Sequence, residues 1–187
     1  FVFPILATTW AVSVIASSMG LIKKESKIGR AVVILFSIIV AVYPFGRLSL
    51  AEYLLSLNSN YSMGSIALLI IVMSKQFRWE TFLSDTDFQQ FLIWNVIVSL
   101  LLYISYLGFV SFDLYPMGYR FSSLFILVAV LTVVLYLLRN PLAYIFISYI
   151  LAFDLRLLHS DNFFDYITDG VLFLLSAAIL LYSLVKN

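Results

Sequence analysis

The chain has 187 residues, of which 63% are hydrophobic and only 11% are charged, and its net charge is +1. Soluble domains are about a quarter charged, so this composition fits a chain whose surface faces lipid and predicts one integral membrane domain over residues 1–187. The absence of cysteine excludes disulfides, thiol nucleophiles and cysteine-ligated metal sites. The sequence has no run of like charges, so we expect no nucleic-acid partner.

A helix needs about 20 apolar residues to cross the hydrocarbon core of a bilayer. The first half of the chain offers three such segments, at residues 3–21, 31–45 and about 61–74. The sequence begins at Phe1, and no basic residue precedes the first segment. Lys23 and Lys24 follow it. An N-terminus outside the membrane therefore explains it better than a signal peptide does.

Residues 48–58 differ from these segments because polar and apolar residues are mixed. Ser49 and Glu52 have the spacing of a capping box, in which each side chain satisfies a free amide at a helix start. We expect a short amphipathic helix that lies in the membrane interface.

The second half contains four more candidate spans, at residues 89–111, 121–138, about 142–153 or as far as Leu158, and about 166–184. Expected helix starts are Thr86 with Gln89 as a cap for the fourth span, and Pro141 in the first turn of the sixth. Ser160 or Asp161 is expected to cap the seventh. The predicted fold is all-α, a polytopic transmembrane helical bundle of about seven spans, with six as the alternative.

Seven spans place alternate loops on opposite sides of the membrane. One side then receives eight basic residues and the other receives three, which are Arg47, Arg120 and Arg156. Basic residues accumulate on the cytoplasmic side, so we expect the N-terminus outside and the C-terminus in the cytoplasm. This bias is typical of a plasma membrane or a bacterial inner membrane.

A polar stripe follows the fourth span, where Asn95, Ser99, Tyr103 and Tyr106 are spaced to share one helix face. Such groups commonly form hydrogen bonds between packed helices. The alternative is that they line a cavity.

The loops on the predicted outer side carry a cluster of ionisable residues. Its members are Asp113, Arg120, Asp154, Arg156, His159, Asp161, Asp165 and Asp169. Charged groups near the membrane are costly and often functional, so the cluster is a candidate binding site. The alternative is structural, in which Asp165 favours a helix N-terminus and the other groups are solvated or paired. His159 is either solvated or a proton relay.

The segment Asp161-Asn162-Phe-Phe-Asp165-Tyr-Ile-Thr-Asp169 resembles the first aspartate-rich motif of membrane prenyltransferases of the ubiquinone-biosynthesis type. In that family, Asn-Asp-x-x-Asp-x-x-x-Asp binds diphosphate through magnesium. Here the first two residues are exchanged, and only one span follows, which leaves no place for the second motif. We therefore exclude membership and retain only the idea of a weak cation site, with no resident metal and no cofactor.

Three functions remain open. The first is a non-catalytic membrane subunit or an accessory or assembly component, whose partners are the lipid bilayer and other membrane subunits. The second is a small-solute or lipid transporter that uses the Asn95 stripe. The third is an enzyme acting on a lipid-linked phosphate at the outer leaflet, with aspartates and the histidine of the outer cluster as acid–base groups and Arg120 or Arg156 holding phosphate.

Overall fold

The computed structural model of the chain describes residues 1–21, 26–79, 83–120 and 122–186. Helices make up 73% of it, with nine α-helices in the described residues, so the all-α prediction is confirmed. Contacts divide the chain into two compact units. The first comprises residues 1–59 and 66–81, and the second comprises residues 60–65 and 82–187.

The first unit contains three helices, a hairpin and most of a fourth helix. These are α1 (Val2–Ser18), α2 (Lys27–Val42), β1 (Pro44–Phe45), β2 (Leu48–Ser49), α3 (Leu50–Leu57) and α4 (Met63–Gln76). The two strands pair antiparallel, Pro44 with Ser49 and Phe45 with Leu48. Gly46 occupies the two-residue turn at a φ of 89°, a left-handed conformation that glycine adopts without strain.

Helix α3 begins at the capping box that the sequence predicts. The Glu52 backbone N–H donates to Ser49 Oγ over 3.3 Å, and the Ser49 N–H donates to Glu52 Oε2 over 2.7 Å. The backbone N–H of Ser49 also lowers the pKa of the Glu52 carboxyl, because it stabilises the charged form. The predicted short helix is confirmed, and its position at a membrane surface stays a prediction.

The core of the first unit lies where α1, α2 and α4 supply Ala16, Val33, Met73 and Phe77, all buried. Two polar contacts flank this core. The Arg30 guanidinium donates to the Phe77 carbonyl oxygen over 2.9 Å, and the Gln76 amide donates to Ser17 Oγ over 3.4 Å.

The second unit contains the remaining helices. They are α5 (Asp85–Tyr106), a 3-10 helix (Tyr115–Gly118), α6 (Ser123–Leu137), α7 (Leu142–Asp154), α8 (Phe164–Ile167) and α9 (Gly170–Lys186). Helix α5 packs along α9, and α6 packs along α7. Large side chains fill the interior of this unit, with Phe91, Phe146, Tyr149 and Leu172 buried.

Three predicted helix starts need correction. Helix α5 begins at Asp85, four residues before the predicted start of the span, and is capped by Ser84 with Asp87, not by Thr86 with Gln89. Pro141 precedes α7 as its N-cap instead of lying in its first turn. The seventh span does not start at residue 166 behind a Ser160 or Asp161 cap. Here α8 ends at the extended Thr168, and α9 starts anew after Asp169.

The helices are shorter than most of the predicted spans. Among the described residues, only α5 is long and apolar enough to cross a membrane, and its 22 residues extend about 33 Å. Five other apolar helices, α1, α4, α6, α7 and α9, have 10–17 residues. The predicted first residue of the fifth span, Phe121, and the basic pair Lys23-Lys24 lie outside the described residues.

The C-terminal ends of three helices share an unusual feature. Arg78, Arg139 and Arg156 follow α4, α6 and α7 in the left-handed conformation, with φ of 51°, 56° and 51°. At each end, the next amide donates back to a carbonyl five residues earlier, as Leu157 N does to Ala152 O over 2.9 Å. This is a Schellman motif, in which the left-handed residue is usually glycine.

Candidate functional site

The loops that follow α5 and α7 are joined around one asparagine side chain. The Asn162 amide nitrogen donates to the Tyr115 carbonyl oxygen over 2.8 Å, and its Oδ1 accepts from the Phe164 N–H over 2.9 Å. The Phe163 N–H donates to the Gly118 carbonyl oxygen over 2.8 Å. A Cβ atom at Gly118 would overlap the Asn162 amide, so only glycine fits there. These contacts hold the two loops of the second unit together as one structure.

Asp165 lies inside this loop structure, where it accepts hydrogen bonds from two hydroxyl groups. The Tyr115 hydroxyl donates to Oδ2 over 3.1 Å, and the Ser160 hydroxyl donates to the same oxygen. Burial raises the pKa of the Tyr115 hydroxyl well above its ordinary value, and the Asp165 charge raises it further. Tyr115 is therefore a protonated donor at neutral pH, and the Asp165 carboxylate holds two loops together.

Asp169 connects the start of α9 with the start of α4, and both of these segments belong to the second unit. Its Oδ1 accepts from the Val171 and Leu172 amides over 2.8 and 2.9 Å, which makes Asp169 the cap of α9. Its Oδ2 accepts from the Ser62 amide and the Ser65 hydroxyl, both over 2.7 Å. One carboxylate thus satisfies donors at two helix N-termini, where negative charge is favoured.

The three aspartates of the Asp161–Asp169 segment do not form a cation site in this arrangement. Within this segment, the backbone is helical only from Phe164 to Ile167, so Asp165 and Asp169 do not share a continuous helix face. In the described part of the chain, no group of three or more acidic or histidine residues could hold a metal ion. The idea of a weak cation site, which assumed carboxylates along one helix, therefore has no support in this geometry.

Four residues of the predicted outer cluster line one cleft of about 510 Å³. These are Arg120, Asp154, Arg156 and Asp161, and the remaining wall is formed by Tyr119, Phe153 and Ser160. The other members of the cluster lie elsewhere. Asp113 accepts from the Tyr115 amide over 2.9 Å, and His159 is exposed, with its backbone carbonyl accepting from the Asn60 amide over 3.3 Å.

The polar stripe on α5 divides into a buried part and an exposed part. Asn95 and Ser99 are fully buried, and the Ser99 hydroxyl lies 2.5 Å from that of Thr168. The Tyr103 ring packs edge-on against Phe173 with a centroid distance of 5.4 Å. Tyr106 is 74% exposed, so it does not extend the buried row.

Asn95 has an exceptional environment within this row. Both atoms of its side-chain amide are buried and have no hydrogen-bond partner among the described residues. An unpaired buried polar group costs about 1–3 kcal/mol, so this position calls for an explanation beyond helix packing.

No family model, curated protein or solved structure matches the chain. The site must therefore be interpreted from its own geometry. Sequence reasoning missed the partners of its two central carboxylates. Tyr115 lies 50 positions from Asp165, and Ser62 lies 107 positions from Asp169, so no local pattern links these residues.

Proposed function

We propose that the chain is a polytopic membrane protein of about seven spans and a non-catalytic component of a larger membrane assembly. The apolar surface of its helices supports the membrane location. Leu35 and Ile39 on α2, and Ile126, Leu127 and Val130 on α6, are each more than half exposed. Contiguous apolar surface of this kind is stable against lipid or protein, but not against water.

The short helices are compatible with spanning when their surroundings adapt. Helices of 13 to 17 residues, such as α7 and α1, extend about 20–26 Å, which is about 4–10 Å less than an average hydrocarbon core. Local thinning of the bilayer or association with other helices accommodates such a deficit. In a larger assembly, the helices of other subunits would supply this association.

The bias in basic residues supports an N-terminus outside and a C-terminus in the cytoplasm, in a plasma membrane or a bacterial inner membrane. A reporter enzyme fused after Asn187 tests this topology. Activity of a reporter that works only in the cytoplasm is expected. Activity of a reporter that works only outside would refute it.

The observation that carries the non-catalytic role is the use of the carboxylates. Asp165 and Asp169 are the groups best placed for acid–base chemistry, and each already accepts hydrogen bonds that hold loops or helix ends. A general base needs a lone pair directed at a substrate. Here these lone pairs are directed at the protein's own donors, which supports a structural role.

Purification of the tagged full-length chain in mild detergent, followed by mass spectrometry of co-purifying proteins, tests the proposal. A stoichiometric membrane-protein partner is expected, and it should disappear when exposed α2 side chains such as Leu35 are replaced by polar residues. Replacement of the buried Val33 on the same helix is the control for misfolding. A chain that purifies alone and monodisperse would contradict the proposal.

Asn95 favours transport as a second candidate function, because an unpaired polar group inside a helical bundle can contact a passing solute. Under this alternative, Asn95→Leu abolishes uptake into vesicles while the protein still folds. Under the assembly proposal, the same change leaves partner binding intact and raises the thermal stability, because it removes an unpaired buried amide.

A further inference from the structure

The cleft at the end of α7 contains charges of both signs that the protein itself does not neutralise. In the described part of the chain, Arg120, Asp154, Arg156 and Asp161 form no ion pair and no side-chain hydrogen bond with one another or with other residues. Arg156 and Asp161 both lie near the hydroxyl group of Tyr166, where their charges act on it in opposite directions. Two cations and two anions are thus available to a ligand.

The backbone fixes the positions from which these side chains extend. Arg156 is held by the Schellman motif that ends α7, and Arg120 follows the bridge between Tyr119 and Asn162. Both arginines are in the left-handed conformation, at φ of 51° and 63°. The cleft walls therefore belong to the tied loops and not to free chain ends, which limits the cost of ordering them around a ligand.

The charges specify a zwitterion. Arginine guanidinium groups bind phosphate through paired, charge-assisted hydrogen bonds. Carboxylates accept hydrogen bonds from a primary ammonium group, whereas a quaternary ammonium has no N–H to donate. A ligand with phosphate alone would meet two repulsive carboxylates, and a simple amine would meet two repulsive guanidinium groups.

The volume and the borders of the cleft indicate the size of the ligand. About 510 Å³ lies within the usual range for small-molecule sites and easily admits a phospholipid headgroup. Leu151, Leu155 and Leu157 are exposed around the end of α7, on the same segment that carries Asp154 and Arg156. Acyl chains could follow this apolar surface away from the cleft.

We propose that the cleft binds a phosphoethanolamine group, with Arg120 and Arg156 on the phosphate and Asp154 and Asp161 on the ammonium. The group could belong to a phosphatidylethanolamine headgroup or to free phosphoethanolamine. The lipid source rests on the membrane placement proposed above, whereas recognition of the headgroup does not depend on an assembly role.

Native mass spectrometry of the full-length chain in detergent, titrated with defined lipids, tests this inference. Phosphatidylethanolamine should bind at least about tenfold more tightly than phosphatidylcholine or phosphatidylglycerol. Arg156→Ala and Arg120→Ala should each weaken phosphatidylethanolamine binding about tenfold or more. Asp154→Asn combined with Asp161→Asn should remove the preference over phosphatidylcholine while binding of phosphatidylglycerol persists or improves.

Arg139→Ala is the matched control, because Arg139 has the same left-handed position at the end of α6 but lies outside this cleft. Its lipid binding should equal that of the unchanged protein. Unfolding temperatures of all variants establish that each is folded. Equal binding of the three lipids, or unchanged binding in both arginine variants, would overturn the inference.

Competition distinguishes the two sources of the ligand. Displacement of phosphatidylethanolamine by free phosphoethanolamine would support the headgroup chemistry and indicate a soluble ligand. Persistence of the lipid in millimolar phosphoethanolamine, together with the arginine effects, would support the lipid. Failure of the purification experiment to find a partner would refute the assembly proposal and leave this result unaffected.

Discussion

Asp169→Ala tests whether the carboxylate shared by α9 and α4 has a structural role. The substitution removes the cap of α9, because Oδ1 no longer accepts from the Val171 and Leu172 amides. It also removes the acceptor for the Ser62 amide and the Ser65 hydroxyl. Four hydrogen-bond donors therefore lose their acceptor, and alanine offers no replacement.

The magnitude follows from these two losses. Replacing a helix N-cap by alanine costs about 1 kcal/mol. Hydrogen bonds to a charged acceptor contribute about 1.5–3 kcal/mol each, and partial exposure of Asp169 lets water replace some of this. We expect a total loss of about 3 kcal/mol, which lowers the unfolding temperature of a chain of this size by about 6–12 °C.

Thermal unfolding of the purified protein in detergent, followed by tryptophan fluorescence, measures this change. Asp169→Asn should lose less stability, because an asparagine side chain still caps a helix through its oxygen. Asp161→Ala is the matched control, since Asp161 is exposed and forms no hydrogen bond in the described structure. If Asp169→Ala unfolds at the same temperature as this control, the carboxylate does not hold the two helix ends.

Two further predictions concern the loop structure around Asn162. Gly118→Ala should cost about 2–4 kcal/mol of unfolding free energy, because the added methyl group displaces the Asn162 amide. Gly170→Ala is the control and should be nearly neutral, because the nearest atom to its added methyl group is 3.4 Å away. Equal unfolding temperatures of the two variants would contradict this prediction. Tyr115→Phe should cost about 0.5–1.5 kcal/mol at neutral pH. Because folding raises the pKa of Tyr115, its contribution is fully present below about pH 10 and is lost as the pH rises further, so the variant's stability should fall less steeply in alkaline buffer, as measured by unfolding from pH 8 to 11.

The helical structure of the apolar segments and the capping box of α3 could be predicted from sequence, because their causes are local. Apolar runs favour helices, and Ser49 lies three residues from its partner Glu52. The start of α5 was predicted wrongly, because the capping box forms two residues before the predicted Thr86 and Gln89. Ser84 and Asp87 form a reciprocal pair there, and Thr86 with Gln89 does not.

The roles of individual carboxylates could not be predicted from sequence. Asp165 and Asp169 are four positions apart, and the spacing alone suggests one shared helix face. The break at Thr168 and the distant donors Tyr115 and Ser65 determine their roles instead. These donors come from other elements of the second unit, so only the tertiary structure identifies them.

If the chain lies in a membrane as proposed, the arginines at the ends of α4, α6 and α7 have a consequence for how these helices are held in the bilayer. A left-handed conformation costs a residue other than glycine about 1 kcal/mol, and part of this is offset by a cation at a helix C-terminus. Glycine would end these helices equally well but would tolerate a shift of the helix along its axis. A guanidinium group at the last turn opposes such sliding, because each residue of displacement would draw a permanent charge toward hydrocarbon. In the membrane placement proposed above, Arg78, Arg139 and Arg156 would therefore oppose sliding of α4, α6 and α7 along their axes, and their replacement by glycine should permit such sliding without unfolding the protein.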